Sequence, residues 1–260
     1  MTRPFDSRAL LDALLPVART AGAAVMRVYA TDFAVGGKTD ASPVPEADEH
    51  AEALIQPALA RLTPDVPVVS EEEAAAGRIP AVAERFWLVD PLDGTKEFIS
   101  RNGEFTVNIA LIDHGTPVLG VVFAPALDRL FGGAIGVAAF VEDQGKRRAI
   151  ACRTPPAQGL TVVASRSHGD AEALSAFLAG RAVARQTTAG SSLKLCLVAA
   201  GEADVYPRLG RTMEWDIAAG DAVLRAAGGC VRTLDGPALQ YGKPDFANPH
   251  FAAWGVAPDA

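Results

Sequence analysis

The sequence predicts a layered fold of mixed class, α+β in its first half and α/β in its second. Three observations carry this. Apolar residues recur at helical spacing near the N-terminus and again around residues 51–62. Short β-branched runs separated by turn dipeptides follow, as far as Asp143. From Leu160 onward, strand-like and helix-like patterns alternate.

The first helix starts at Asp6, an N-cap residue, with Phe5 placed to staple against Leu10. Leu10, Leu11, Leu14, Val17, Ala18, Ala21, Val25 and Val28 form its apolar stripe, and Pro16 is expected to kink it. A turn-rich stretch, Gly36 to Asp48, leads to a second helix expected to bury Ala51, Leu54, Ile55, Ala58 and Leu62. "VPVVS" and "FWLVD" read as strands, the first running into the acids Glu71, Glu72 and Glu73. "FTVNIALID" and "PVLGVVFA" flank His114-Gly115 as a hairpin, and "LFGGAIG" and "AAFVED" continue a mostly antiparallel meander. A soft boundary near residues 150–158 gives two expected domains, 1–155 and 156–260. Beyond it come a strand "LTVVAS", a helix from Ala171 to Leu178, a short strand and a helix opening near Gly190-Ser191-Ser192. The strand "ADVYPR" follows, then a helix "WDIAAGDAVLRAAGG" with Asp216 in its first turn and Gly228 as its stop, then a hairpin in "CVRTLDGPAL".

Composition excludes several classes. Of 260 residues, 49 % are hydrophobic and 21 % charged, as in ordinary globular proteins. A net charge of -7 and a pI of about 5.1 argue against a nucleic-acid partner, but leave room for a small anionic ligand held by a local positive site. The three cysteines, Cys152, Cys196 and Cys230, are far apart with no zinc spacing, so reduced thiols serving as small apolar residues are expected. "MTRPFDSRALL" carries no signal core and no uninterrupted apolar run reaches bilayer length, so a soluble, cytoplasmic protein without an integral membrane segment is expected.

"WLVDPLDGTKEF" is the informative stretch. Asp90 precedes a proline and should therefore end its strand in extended conformation, and Pro91 to Gly94 reads as a turn. D-P and D-G are common turn dipeptides and need no function. Two carboxylates so close repel, however, and a hard divalent ion such as Mg²⁺ removes the conflict. Glu71 ends a neighbouring strand as Asp90 does, and Asp216 opens a helix after Trp215. Each has a structural alternative: Glu71 as a helix first turn, Asp216 as a cap, Asp48 as a first-turn acid, His168 as a surface histidine. Thr95 to Phe98 can start a short helix whose free N–H groups receive an anion. P-loop, nucleophile-elbow and dinucleotide-binding glycine patterns are all missing from the sequence.

"DPLDGT", with "SEE" upstream and "WDIAAG" downstream, resembles the inositol monophosphatase superfamily of Mg²⁺-dependent phosphatases. The longer stretch from Trp87 to Pro125, with "SRSH", "GSSLKLCLVAAGEADVYPR" and K-x-D-x-S-P-V, resembles its bacterial 3'(2'),5'-bisphosphate nucleotidase branch, of the CysQ type. The resemblance runs over nearly the whole chain. It implies an α/β/α/β/α sandwich and two Mg²⁺ ions per active site, with a third, weaker site nearby. Glu71, Asp90 and the Leu92 carbonyl would hold the first ion; Asp90, Asp93 and Asp216 the second. Gly94 and Thr95 would offer N–H groups to the scissile phosphate, Thr95 and Asp48 would form a pair orienting the attacking water, and Glu71 would count with them among the catalytic residues. His168, Ser191, Ser192, Lys194 and Arg208 would bind the nucleotide, Lys194 and His168 taking its remaining phosphate. Pro45 departs from the family's usual threonine and loses that residue's hydroxyl and N–H.

The implied activity is a phosphoric monoester hydrolase. It would release the 3'-phosphate of adenosine 3',5'-bisphosphate (PAP) to give AMP, with the sulfated form (PAPS) as a further substrate, in the service of sulfate assimilation. The resemblance also raises a peripheral inner-membrane location, and the sequence leaves oligomeric state open. The alternatives are an inositol, histidinol or fructose phosphate phosphatase of the same superfamily, or a non-catalytic metal- or anion-binding module. Lys96-Glu97-Phe98 speaks against the first, and the complete set Glu71, Asp90, Asp93, Thr95 and Asp216 against the second.

Overall fold

In a computed structural model, which describes residues 5–31, 43–166 and 171–257, helix α1 (Ser7–Tyr29) opens on Asp6 as expected. The Asp6 carboxylate accepts the N–H groups of Arg8 and Ala9, each at 3.0 Å. Phe5 packs against the core cluster that contains Leu10. The helix continues unbroken through Pro16, because its buried face holds it against the sheet where one lost hydrogen bond would otherwise end it. By length and composition α1 is apolar enough to cross a membrane, but Arg8, Asp12, Arg19 and Arg27 interrupt it, in keeping with the expectation of no uninterrupted apolar run, and half of that stretch is buried inside the protein as a core helix.

Helix α2 (Pro43–Leu62) packs on α1. It buries Val44, Ala47, Ala51, Ile55, Ala58 and Leu59. Leu54 and Leu62, both expected inside, are 37 % and 38 % exposed. Leu54 lies about 100° from Ile55 around the helix, off the stripe, and Leu62 is the closing residue. Pro45 falls in the first turn with its ring exposed. No N–H is needed there, so the departure leaves the helix intact.

A seven-stranded sheet follows in chain order: β1 (Val68–Ser70), β2 (Arg85–Asp93), β3 (Thr106–Asp113), β4 (Thr116–Ala124), β5 (Arg129–Ala134), β6 (Val137–Asp143) and β7 (Lys146–Ala149). The β1–β2 pair is parallel and all the others antiparallel. The expected hairpin joins β3 to β4 through His114 and Gly115, both left-handed at φ 48° and 71°, as a two-residue hairpin turn requires. Strand β7, all exposed, had no alternation to reveal it. The expected turn at Pro91–Gly94 is instead the bulged end of β2: Asp90 pairs with Asn108 and Asp93 with Thr106. Three steps on one strand thus face two on the other, and the bulge accommodates Pro91, which has no ladder N–H.

The remaining elements are β8 (Leu160–Ser165), β9 (Val183–Ala189), β10 (Val205–Arg208), β11 (Cys230–Thr233) and β12 (Phe251–Trp254), with helices numbered here α5 (Ala171–Leu178), α6 (Leu193–Ala199) and α7 (Glu214–Ala226). Two short helices, α3 (Glu71–Ala75) and α4 (Thr95–Ile99), belong to the first half. The second sheet has the order β11-β12-β10-β8-β9. The expected hairpin after Cys230 amounts to one bridge, Arg232 to Ala238; β11 pairs along its length with β12. That strand, "FAAW", was too short and uniformly apolar to be read.

The result is an α/β/α/β/α sandwich. Helices α1 and α2 cover one face of the large sheet, α6 and α7 lie between the sheets, and α5 packs outside the small one. Helix α7 sits very close to β4: a Cβ on Gly120 would lie 2.3 Å from the Ala219 carbonyl oxygen. Only glycine there lets the helix down far enough to bring its first turn to the ends of β1 and β2.

Candidate active site

Strands β1 and β2 run parallel with Ser70 opposite Val89, so the next residues, Glu71 and Asp90, leave the sheet side by side. Alternation along β2 sends Phe86 and Leu88 to the α7 side, and Asp90 shares their parity. Asp216, in the first turn of α7, completes the group. One carboxylate oxygen of each of Glu71, Asp90 and Asp216 lies within 4.8 Å of the others. Asp216 is also a cap, its Oδ2 accepting the Met213 N–H at 2.9 Å. The capping and metal roles are therefore compatible.

Burial and mutual repulsion dominate the electrostatics. Burial, then Asp93 and Glu72, pushes Glu71 up to about 7. Burial and then Asp93 push Asp216 to about 8. Asp90, 1 % exposed, is raised well above the carboxylate range by burial and then by Glu71. A set of hard oxygen donors that repel one another, without histidine or thiolate, fits a hard divalent cation such as Mg²⁺.

Asp93 lies beside this group and lines the same cleft. Burial raises it, while the Lys194 charge and bonds from the Ser192 N–H (2.8 Å) and the Asn108 amide (3.3 Å) to its Oδ2 lower it. The Leu92 N–H bonds to Asp90 Oδ1 at 3.0 Å, fixing the bulge. Gly94, at φ 98°, caps α4, and the opening N–H groups of that helix, beginning with Thr95, have no intrahelical acceptor.

Asp48 projects from the buried face of α2 with Oδ1 unpartnered. Burial, then Glu72, Glu71, Glu52 and Asp93, pushes it up to about 9. Among the described residues no hydrogen bond joins Asp48 to Thr95, so their expected pairing is not made in this structure.

Cationic groups line the same cleft. It encloses about 810 Å³, and Ser191, Lys194 and Arg208 line it together with the carboxylates, the Lys194 charge acting directly on Asp93. Lys194 is buried beneath it, 5.3 Å from the Tyr206 ring centroid, and burial lowers it to about 8. Arg208 is buried with Nε unpartnered. Ser192 does not line the cleft; it is buried, its hydroxyl donating to the Asp216 carbonyl. His168, like Lys38, Asp40 and Ser42 of the K-x-D-x-S-P-V motif, lies outside the described residues. The three cysteines are unpaired, and none lines the cleft.

Three residues of the site were missed from sequence. Asn108 interrupts the apolar strand "FTVNIALID", which was a usable signal. Tyr206 lies in the short strand that carries Arg208 and had no signal of its own. Glu104 reaches the site only through tertiary contacts.

A five-layer sandwich with an acidic cluster at the ends of β1 and β2, closed by the first turn of α7, defines the class. The chain belongs to the inositol monophosphatase family, whose sequence model matches residues 6–257. Within that family it is 50 % identical over 247 residues to the 3'(2'),5'-bisphosphate nucleotidase CysQ of Escherichia coli (strain K12), covering 93 % of this chain and 98 % of that one. Among solved structures, CysQ from Bacteroides thetaiotaomicron superposes with a TM-score of 0.81 at 36 % identity, over 95 % of this chain and 97 % of the other. Mycobacterium tuberculosis SuhB gives 0.74 at 26 % identity, over 96 % and 92 %. The likeness to the nucleotidase branch read from the motifs is thus borne out.

Proposed function

We propose that this chain is a Mg²⁺-dependent 3'(2'),5'-bisphosphate nucleotidase that hydrolyses the 3'-phosphate of PAP to AMP and phosphate, and that also accepts PAPS. One observation carries the reading from geometry: a single cleft sets three carboxylates against a buried lysine and a buried arginine. A substrate with two separate phosphates matches a cleft that holds both a carboxylate cluster for metal and fixed cations, and the similarity to CysQ proteins supports the same choice.

Glu71, Asp90, the Leu92 carbonyl, Asp93 and Asp216 would hold two Mg²⁺ ions, with a third site beside Asp48. Divalent cations bound there supply Lewis acidity and charge neutralisation for an in-line displacement at phosphorus. Gly94 and the start of α4 receive the phosphate being cleaved. Thr95 and Asp48 orient the water. Lys194, Arg208 and Ser191 hold the nucleotide by its other phosphate, with His168 assigned by resemblance alone. The chain's role is to position and to neutralise, and no covalent nucleophile is used.

The proposal includes two domains, 1–155 and 156–260, and a cytoplasmic location, for which the three unpaired thiols are the support. The peripheral inner-membrane location raised by the resemblance has no support among the described residues.

The test is phosphate release with Mg²⁺ from PAP, inositol 1-phosphate and fructose 1,6-bisphosphate under identical conditions. Turnover should be highest for PAP. A clear preference for the inositol ester would overturn the nucleotidase reading, and metal binding with no turnover of any ester would make the chain a binding module.

A further inference from the structure

Residues Gly190 to Ser192 form the junction between the cationic groups and the carboxylates. Ser192 donates its N–H to Asp93 Oδ2 at 2.8 Å and its hydroxyl to the Asp216 carbonyl. Ser191 accepts Lys194 Nζ at its carbonyl and the Thr106 hydroxyl at its Oγ, the latter at 3.2 Å. Ser191 sits at φ 42°, in the left-handed region that residues with a side chain seldom occupy. Something must hold it there.

Glu104, on the segment between α4 and β3, is placed to do so. Its Oε2 accepts the Gly190 N–H at 2.7 Å. The same carboxylate takes Arg166 in a forked pair, Nε at 3.0 Å and Nη2 at 2.9 Å, and Arg166 Nη2 also donates to the Thr188 carbonyl at 3.3 Å. Gly190 is pressed onto Glu104: an added Cβ would meet Glu97 Cγ at 2.5 Å and the Glu104 carbonyl oxygen at 2.8 Å.

We propose that Glu104 is a positioning residue for the metal ligands Asp93 and Asp216, clamping the Gly190 N–H so that Ser191 stays left-handed and Ser192 keeps its bonds to both. This rests on the ligand assignment proposed above. Without the clamp Ser191 relaxes, the Ser192 N–H turns from Asp93, and the carboxylate loses the shorter of the two hydrogen bonds that orient it, keeping only that from the Asn108 amide. The exposed ion pair with Arg166 steadies the clamp but is not its purpose, since such pairs contribute little alone.

The experiment measures Mn²⁺ dissociation constants of the substrate-free protein by paramagnetic resonance, alongside kcat and KM for PAP. Glu104→Ala should weaken Mn²⁺ binding about tenfold, as loss of an outer partner of a ligand does, and lower kcat more than it raises KM. Glu104→Gln keeps an acceptor for the Gly190 N–H and should stay within about threefold of wild type. Glu104→Asp keeps the charge but is one methylene too short, and should behave like Glu104→Ala even if the alanine variant folds poorly. Adding Ser191→Gly to Glu104→Ala should recover much of the affinity, because glycine takes a positive φ without strain. Wild-type Mn²⁺ affinity in Glu104→Ala and Glu104→Asp would overturn the clamp. Wild-type affinity in Asp93→Asn would overturn the ligand assignment itself, so the two failures are distinguishable.

Discussion

Asp216→Asn should make the metal-free protein more stable at neutral pH while destroying its hold on Mg²⁺. The Asp216 carboxyl has its proton affinity raised from 3.8 to about 8 by burial, then by Asp93. The folded state therefore keeps a proton that the unfolded chain releases, and stability falls as pH rises from about 4 to about 8. One proton corresponds to about 1.4 kcal/mol per pH unit, or about 4 kcal/mol between roughly pH 5 and pH 8. Asp216 is only partly buried and open to cleft water, so about half of that, ~2 kcal/mol, is the expected contribution. Asparagine removes the titration yet can still accept the Met213 N–H. Urea unfolding in a chelator across this range should show a shallower decline for the variant, and added Mg²⁺ should stabilise wild type increasingly as pH rises, because metal binds the ionised carboxylates. Equal pH slopes for the two proteins in chelator would refute the claim that the cluster is held under charge repulsion.

Lys194→Ala should raise KM for PAP by tenfold or more, the scale of a lost charged hydrogen bond, while changing hydrolysis of a simple phosphate ester far less. Because burial brings Lys194 down to about 8, wild-type KM for PAP should climb above about pH 8 as the ammonium loses its proton, and steady-state kinetics should show the variant without that climb. Gly120→Ala drives a methyl against the Ala219 carbonyl; it should cost ~1–3 kcal/mol in chemical unfolding and weaken Mg²⁺ binding by lifting α7 and Asp216 away from Asp90.

Those expectations depend on features of unequal visibility in the sequence. The helix cap at Asp6, the His114-Gly115 hairpin and the α7 stop at Gly228 were legible because each is decided by a few adjacent residues with special backbone or capping chemistry. Glu71, Asp90 and Asp216 were legible as candidates from their places at strand ends and a helix start, and motif resemblance sharpened the choice; that they converge follows from the β1–β2 register and the depth of α7, which no local pattern encodes. The end of β2 was misread because proline and glycine mark a bulge and a turn with the same letters. Leu54 and Leu62 show the complementary limit: an apolar residue is placed inside by its angle and its neighbours, not by its identity alone. Glu104 lies inside the stretch that carries the resemblance, but its role was not legible, because its partner, Gly190, is 86 positions away in sequence.

The most direct test is an anomalous diffraction map of crystals soaked in Mn²⁺ with AMP. Metal density should lie about 2.1 Å from oxygens of Glu71, Asp90 and Asp216, with the nucleotide phosphate at Lys194 and Arg208. Manganese bound elsewhere, or absent from between these three carboxylates at full occupancy of the nucleotide, would contradict it.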